Sequence, residues 1–187
     1  MLPLATRRLL LREFASGDLV PLRAFTADPR VREYAPVESR ALAAAERAGR
    51  PLRARGPRRS YELAVVVRRT GKLVGACDLA LAGPGEADIG YMLAPRHWGY
   101  GYGTEIALAL VGFGLGQLAL RRLTAIVAIE NERSRRVLTK AGLHWEGLLR
   151  RHLRAAGRSW DCHRYAIERA QWQADAAACA PRRARRS

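Results

Sequence analysis

The sequence predicts a single α/β domain whose sheet mixes antiparallel and parallel strands. Apolar, β-branched segments alternate along the chain with alanine-rich or amphipathic segments that are typical of helices. Two apolar runs, "YELAVVV" and "KLVGACDLAL", are separated only by "RRTG", a pattern typical of an antiparallel hairpin. The 187 residues contain no internal repeat and no linker, and this length is enough for one domain with a substantial core.

The N-terminal segments predict one strand followed by two helices. "RRLLLREF" predicts the strand, because its apolar and polar residues alternate briefly. Asp18 is placed to cap a helix through "LVPLRAFTADP", which we expect to end before Pro29. "ESRALAAAERAGR" predicts an alanine-rich helix with Gly49 near its end, and "PLRARGPRRS" predicts a loop.

The middle of the chain predicts the hairpin, a third strand and a buried helix. "GPGE" is typical of a turn, and "ADIGYML" predicts the strand after it. We expect the helix over residues 104–118, and it is apolar on nearly all sides. Gly112, Gly114 and Gly116 each cost about 1 kcal/mol relative to alanine in such a helix, and close packing on the sheet would explain them.

The last third predicts three strands and one short helix. "LTAIVAI" is the strongest strand signal in the chain. Asn131 is placed to cap a helix over residues 132–141, with Lys140 in its last turn and Gly142 just beyond. "LHWEG" and "WDCHRYAIE" predict two late strands around a polar, arginine-rich turn.

The charge and the chain ends bear on partners and location. The net charge of +16 attracts polyanions, but Lys72 and Lys140 are the only lysines, and an arginine–alanine bias is typical of GC-rich coding. The charge is therefore weak evidence for a nucleic-acid partner. Arginines interrupt the leucines of "MLPLATRRLLLREF", and no apolar run approaches the ~20 residues that span a bilayer. We expect a soluble, cytoplasmic protein with no membrane partner.

The cysteines and histidines do not indicate a metal site. The three cysteines form no Cys-x-x-Cys pair, so we expect neither a disulfide framework nor structural zinc, and Cys77 and Cys162 fit buried apolar positions. The four histidines share no metal-ligand spacing, and they are His97, His144, His152 and His163.

Three glycines stand directly before the central helix, in "APRHWGYGYGTEIALALVGFG". The start of a helix leaves backbone N–H groups unpaired and carries partial positive charge, and Gly99, Gly101 and Gly103 lack the Cβ atoms that would hold a ligand away. The junction therefore predicts a site for a phosphorylated ligand, with Arg96 as further positive charge. A loop made tight for packing alone is the alternative. The junction matches neither of two known phosphate-binding motifs. It lacks the lysine of a P-loop, and Thr104 stands where a dinucleotide fingerprint has its third glycine.

Five segments in order resemble the GNAT superfamily of acetyl-CoA-dependent N-acetyltransferases, and more narrowly its ribosomal-protein N-terminal (alanine or serine) branch. They are "TRRLLLR", "ADPRVREY", "DIGYMLAPRHWGYGYGTEI", "LALRRLTAIVAIENERSRRVLTKAGL", and "HWEGLLR" with the late "GRSWDCHRYAIERAQW". The resemblance implies a GNAT domain over residues 1–172 and a basic, mobile C-terminal tail over 173–187. It also implies a mixed, mostly antiparallel sheet of six to seven strands, with splayed central parallel strands flanked by helices.

The same resemblance implies where acetyl-CoA binds. The coenzyme would lie between the splayed strands 87–93 and 123–129. The family pattern Gln/Arg-x-x-Gly-x-Gly/Ala fits Arg96 to Gly101 by residue type, and Trp98 to Gly103 by distance to the expected helix. The implied coenzyme-binding residues are Met92, Leu93, Arg96, Gly99, Gly101, Tyr102, Gly103, Thr104, Asn131 and Ser134.

The resemblance further implies direct acyl transfer to an uncharged amine, without a metal. Asp88 matches the acidic position of the family's Glu-Ile-Gly-Tyr pattern, and Asp88 and Glu86 are the candidate proton acceptors, directly or through water. Glu86 is alternatively a simple turn residue. Ser134 would donate a hydrogen bond to the sulfur, and Tyr91 and Tyr165 are alternative donors.

The acceptor is expected to be a protein N-terminal α-amine, for example of a ribosomal protein, with ribosome association as a further expectation. An α-amine has a pKa of about 7.7–8.0 against about 10.4 for lysine, so it needs little help from a base. Residues 28–60 and 150–159 are arginine-rich, which favours acidic peptides or carboxylate-bearing substrates. The alternatives are a small amine (an amino-acid derivative, a polyamine or an antibiotic) and a non-catalytic RNA- or ribosome-binding module. Monomer and homodimer both stay open.

Overall fold

The computed structural model describes residues 2–34, 40–48, 58–155 and 157–179. These residues form eight strands: β1 (Leu4–Ala5), β2 (Leu9–Arg12), β3 (Ser60–Val67), β4 (Leu73–Gly83), β5 (Glu86–Leu93), β6 (Arg122–Ala128), β7 (His144–Ala155) and β8 (Arg158–Glu168). They also form six α-helices: α1 (Leu19–Thr26), α2 (Pro29–Arg32), α3 (Arg40–Arg47), α4 (Tyr102–Val111), α5 (Glu132–Lys140) and α6 (Arg169–Cys179).

The strands make one mixed sheet in the order β1-β2-β3-β4-β5-β6-β8-β7. All neighbouring strands are antiparallel except β5 and β6, which run parallel. The α/β architecture with a mixed sheet is thus confirmed. The expected six to seven strands were too few, because Leu4 and Ala5 add a short edge strand against β2.

Each face of the sheet carries its own set of helices and its own core. On one face, called the α4 face below, Leu63, Leu79 and Leu123 share a buried cluster with Ile106 and Leu110 of α4. The apolar run of α4 forms this core because it is buried along most of its circumference.

On the opposite face, called the α1 face below, a second cluster joins the first helices to the sheet. Leu22 and Phe25 of α1 and Ala41 of α3 pack with Ala64 and Ala76 of the hairpin strands. Because side chains alternate between faces along a strand, the even-numbered residues of β3, of β4 after Gly75 and of β5 point to this α1 face, whereas a bulge reverses the alternation at Leu73 and Val74.

The hairpin, the glycine-rich helix and the late helix follow the sequence closely. The hairpin β3–β4 is confirmed. The central helix begins at Tyr102, two residues before the expected Thr104, and its last part, Gly112–Gln117, is π-helical. Asn131 caps α5 by accepting a hydrogen bond from the Ser134 N–H at 3.1 Å, as expected.

Two local expectations were wrong. The side chain of Asp18 makes no capping bond to α1; it accepts hydrogen bonds from Arg12 and from the Ala15 N–H instead. The arginine-rich turn expected over residues 150–159 is mostly strand, because β7 continues to Ala155 with a register shift, and β8 begins at Arg158.

The described residues include only part of the predicted C-terminal tail and of the segment that follows α3. Helix α6 crosses the predicted domain boundary at residue 172, so residues 173–179 are helical, whereas the tail over 180–187 lies outside the described residues. Gly49 and residues 51–57 of the predicted loop also lie outside them. Cys77 and Cys162 are buried, as expected. Within the described ranges, no helix combines the length and apolarity needed to cross a membrane.

Candidate active site

The sheet opens between its two parallel strands. Strands β5 and β6 are paired only at Glu86, Ala87 and Asp88, which lie opposite residues 122–124. Beyond Asp88, β5 stays paired with β4 as far as Leu93, while β6 stays paired with β8 as far as Ala128. The facing edges of residues 89–93 and 125–128 therefore have no strand partner and can hydrogen-bond an extended ligand.

The glycine junction follows the unpaired end of β5, where this strand leads into α4. Gly99 and Gly101 have positive φ angles of 83° and 78°, and Gly101 is the N-cap of α4. A Cβ on Gly99 would meet nothing within 4 Å, so the loop is not tight for packing reasons at this position. Unpaired amides at a helix start beside open space fit a phosphate group.

The helix boundary also bears on the two alignments of the family pattern. Because α4 begins at Tyr102, the alignment from Arg96 to Gly101 ends at the residue before the helix, and it now fits by position as well as by residue type. Gly103 lies inside the first turn, where a Cβ would be 3.2 Å from both Tyr91 Cε2 and Val137 Cγ2. Its role is close packing between α4, β5 and α5.

A hydrogen bond crosses from β5 to the start of α5. The Tyr91 hydroxyl and the Ser134 hydroxyl are 3.0 Å apart, and the Ser134 N–H donates to the Asn131 side chain. Burial raises the pKa of Tyr91 above its ordinary value of 10.0, and the hydrogen bond with Ser134 opposes this shift. Tyr91 therefore remains protonated at neutral pH and available as a donor. The contacts of Tyr165 are different: it belongs to the buried core under α4.

The two candidate proton acceptors occupy different positions. Asp88 is exposed and occupies the last paired position of β5 and β6, where the split begins. Its carboxylate accepts a hydrogen bond from the Thr124 hydroxyl. Glu86 begins β5 and forms an ion pair with Arg121. The structure therefore places Asp88 at the split, whereas the carboxylate of Glu86 is held at the closed end of the strand pair.

Sequence reasoning missed a half-buried carboxylate beside the split. Asp78 on β4 lies opposite Glu62 on β3 and opposite Gly90 on β5, on the α1 face. Its side chain is 30% exposed and forms an ion pair with Arg40 at 3.3 Å. Burial raises the pKa of Asp78; the Arg40 charge lowers it, and the Glu62 charge raises it further.

Gly90 makes room for this carboxylate, since a Cβ there would be 2.7 Å from Asp78 Oδ1. Glu62 and Asp78 lie directly opposite each other, and Asp88 lies diagonally from Asp78, opposite Ala80; together the three are called the acidic row below. Like charges directly opposite one another destabilise a sheet, so the pair of Glu62 and Asp78 is costly as a purely structural feature. The available signal was an aspartate within the otherwise apolar run "LVGACDLAL".

Several cationic side chains surround the glycine junction. Arg96 donates to His97 Nε2 at 3.2 Å, and burial together with the Arg96 charge lowers the pKa of His97, so the imidazole is neutral at pH 7. The guanidinium of Arg133 lies 5.3 Å from the ring centroid of Trp98. The Trp98 indole N–H in turn donates to the Leu93 carbonyl at 2.8 Å, which fixes the loop to the end of β5. Arg8, which directly precedes β2, also contacts the junction, because its guanidinium donates a hydrogen bond to the Tyr100 carbonyl.

The expected acceptor side carries less free positive charge than its arginine count indicates. Three described arginines of residues 28–60 are ion-paired: Arg30 with Asp28, Arg40 with Asp78, and Arg58 with Glu13.

A cavity of about 430 Å³ lies on β7 and β8, one strand beyond β6, and is lined by Glu146, Gly147, Leu148, Leu149 and Arg164. The described residues bring together no group of three or more His, Cys, Asp or Glu side chains suited to a metal ion.

Comparison with known proteins agrees with this geometry. The family model for the acetyltransferase (GNAT) domain matches residues 8–144. The chain is 31% identical over 170 residues to an uncharacterized N-acetyltransferase, YoaA, of Bacillus subtilis (strain 168), covering 88% of this chain and 95% of that protein.

Solved structures with the same fold include enzymes for different acceptors. A ribosomal-protein-S5-alanine acetyltransferase from Vibrio fischeri superimposes with a TM-score of 0.76 at 18% identity, covering 92% of this chain and 99% of that one. A spermidine N-acetyltransferase from Vibrio cholerae, in complex with CoA and spermine, gives a TM-score of 0.74 at 20% identity, covering 90% and 99%. At these identities the likeness concerns the fold.

Proposed function

The chain belongs to the GNAT acetyltransferase family, and from this premise we propose that it transfers the acetyl group of acetyl-CoA directly to the N-terminal α-amine of a protein. The observation that carries the proposal is the split between β5 and β6, whose pairing stops at Asp88, together with the glycine junction at Gly99 and Gly101 that follows the unpaired end of β5. An extended pantetheine chain fits between unpaired strand edges, and a diphosphate fits a helix start.

In this placement the coenzyme is held mainly by backbone groups. The amides of Gly99, Gly101, Tyr102, Gly103 and Thr104 bind the pyrophosphate, with Arg96 nearby. The backbone of Met92 and Leu93 pairs with the pantetheine, and Asn131 and Ser134 lie beside it at the start of α5. The Leu93 carbonyl already accepts from Trp98, so the pantetheine would use other groups of this segment.

The transfer forms a bond between the amine nitrogen and the acetyl carbonyl carbon and breaks the carbon–sulfur bond of the thioester. The attacking amine is neutral, and the proton that it loses goes to Asp88, directly or through water. Asp78 lies one strand away, and its raised pKa suits it to share that proton. Glu86 is the weaker candidate because Arg121 holds its carboxylate.

The leaving thiolate is stabilised by the pair formed by Tyr91 and Ser134. A tyrosine with a raised pKa holds its proton more tightly than a thiol with a pKa of about 8.5, so Tyr91 donates a hydrogen bond to the sulfur and does not lose its proton. Ser134 has the same limited role, and the two hydroxyls, 3.0 Å apart, act as one donor site.

The open α1 face beside the split supports a peptide acceptor. Asp88 is exposed there, and Ile126 on β6 is 39% exposed, so a chain end can lie across the strands without entering a deep pocket. A polyamine is the second candidate, and the acidic row of Glu62, Asp78 and Asp88 favours it. Among the residues that the structure describes, these three carboxylates outnumber the one arginine, Arg40, that forms an ion pair with them.

Acetyl-CoA turnover measured by thiol release tests the proposal. Peptides beginning with alanine or serine are expected to give a higher kcat/KM than spermidine or free amino-acid derivatives. A higher kcat/KM with spermidine would replace the peptide acceptor by the polyamine. Turnover with none of these amines would overturn the assignment of a primary-amine acceptor.

A matched pair of variants tests the coenzyme placement. Gly101→Glu adds bulk and negative charge where the diphosphate is proposed, so CoA binding measured by calorimetry is expected to be lost. Gly71→Glu is the control, because Gly71 also has a positive φ (67°) but lies in the β3–β4 turn, where a Cβ would meet nothing within 4 Å. Equal CoA affinity of the two variants would refute the placement.

A further inference from the structure

We infer that Arg8 is a positioning residue for coenzyme binding: it holds the Glu105 carboxylate away from the amides at the start of α4 and so keeps them free for the pyrophosphate. The inference rests on the proposed coenzyme placement. It adds to that placement a residue of the first strand region, which neither the glycine pattern nor the strand split indicates.

Glu105 makes the start of α4 an unusual anion site. It stands in the first turn of the helix, where its own N–H bonds to the Gly101 carbonyl at 3.2 Å. A carboxylate in this turn is attracted by the partial positive charge of the helix start, where the free amides lie. It would then compete with, and repel, a diphosphate at the same amides.

The N-terminal segment holds this carboxylate with three hydrogen bonds. Glu105 Oε1 accepts from the Arg8 N–H at 2.7 Å and from the Thr6 hydroxyl at 2.5 Å, and Oε2 accepts from Arg8 Nε at 2.8 Å. The Glu105 side chain is only 14% exposed. Both oxygens are therefore engaged by the segment that joins β1 to β2.

The carboxylate is ionised, so its charge needs compensation. Burial alone would raise the pKa of Glu105, but the hydrogen bonds from Thr6 and Arg8, together with the Arg8 charge, bring this pKa below its ordinary value. Arg8 supplies a full positive charge within an ion pair of 2.8 Å. The pair leaves little net charge to oppose an incoming phosphate.

The rest of the Arg8 guanidinium contacts the junction itself. Its Nη1 donates to the Tyr100 carbonyl at 2.9 Å, and its Cζ lies 4.7 Å from the ring centroid of Tyr102. A Cβ on Gly101 would be 3.4 Å from its Nη2. The Arg8 side chain thus contacts the Glu105 carboxylate, the backbone of the glycine junction and the first residue of α4. Arg8 and Glu105 are 97 residues apart in the sequence.

A charge-rescue experiment separates this role from a general contribution to stability. Arg8→Ala leaves Glu105 uncompensated, and we expect CoA affinity, measured by calorimetry, to fall at least tenfold. The double variant Arg8→Ala/Glu105→Gln has no carboxylate to compete, so at least half of the lost affinity, on a logarithmic scale, is expected to return. An Arg8 that served only to hold the fold would give a double variant no better than Arg8→Ala.

The donor substrate supplies a second readout. S-acetylpantetheine has no pyrophosphate, so Arg8→Ala is expected to lower kcat/KM with acetyl-CoA much more than with this truncated donor. If Arg8→Ala does not fold, Glu105→Gln alone keeps the test open, because the inference requires it to bind CoA at least as tightly as the wild type. Weaker CoA binding by Glu105→Gln, or equal losses with both donors, would overturn the inference. Absence of CoA binding by the wild type would instead refute the proposed function.

Discussion

Two glycines of the same helical stretch have opposite environments, and this difference makes the packing of the central helix testable. Replacing glycine by alanine in a helix interior gains about 1 kcal/mol. A Cβ on Gly112 would meet nothing within 4 Å, so Gly112→Ala is expected to keep most of this gain. It is expected to stabilise the protein by about 0.5–1 kcal/mol.

At Gly114 the same Cβ enters the core. It would lie 2.9 Å from both Leu123 Cδ1 and Leu123 Cδ2, and 3.1 Å from Leu79 Cδ1. Both leucines are 0% exposed, so their methyl groups can move only by displacing other core atoms. Adding a methyl to a filled core costs about 1–3 kcal/mol, which offsets or exceeds the helix gain. We expect Gly114→Ala to be about 1–3 kcal/mol less stable than Gly112→Ala.

Urea unfolding followed by tryptophan fluorescence measures the difference. A change in midpoint at constant slope reports stability, so the two variants are compared with the wild type under one set of conditions. The reasoning would be refuted if Gly114→Ala raised the midpoint as much as Gly112→Ala. That result would mean that β6, which carries Leu123, yields to the helix more easily than its burial indicates.

Three further predictions concern the site and the pH dependence. Tyr91→Phe removes the hydroxyl beside Ser134, so kcat in steady-state assays is expected to fall about tenfold with little change in KM for acetyl-CoA; an equal rise in KM would place Tyr91 in binding. Gly90→Ala would put a Cβ 2.7 Å from Asp78 Oδ1, so it is expected to lower kcat more than CoA affinity, and an unchanged kcat would exclude Asp78 from proton transfer. Burial raises the pKa of Asp18, but the hydrogen bonds from Arg12 and from the Ala15 N–H outweigh burial and lower this pKa below 3.8. The ionised carboxylate therefore stabilises the fold above pH 3.8, and this stabilisation is lost as the pH falls through the lowered pKa. Asp18→Asn should therefore show a flatter decline of unfolding midpoint below pH 4 than the wild type does, and parallel curves would contradict this.

The features that the sequence predicted are those determined over short stretches of chain. The hairpin, the cap at Asn131 and the glycine junction each depend on residues a few positions apart, so local patterns were enough. The family followed from the order of several such stretches, and the family model matches residues 8–144. Asp18 shows the limit of the local pattern, because its carboxylate turned to Arg12, six residues earlier, and not to the helix that follows it.

The remaining features depend on which strands become neighbours. Asp78 is one aspartate in an apolar run until the register places it opposite Glu62 and Gly90. Arg8 is one of several arginines in its segment until the fold brings it to Glu105. Neither contact can be predicted from the spacing of residues in the sequence, because the partners are far apart in sequence and come together only through long-range pairing.

Because β5 and β6 share only three paired positions, the backbone ladder between the two parts of the sheet is short. The coenzyme in its proposed place would act as an inserted strand, restoring a continuous ladder across the gap and coupling the motions of the two parts. Such a ligand at a hundred times its Kd adds about 2.7 kcal/mol to the folded state. Amide hydrogen exchange should slow along both edges of the opening together when CoA is added.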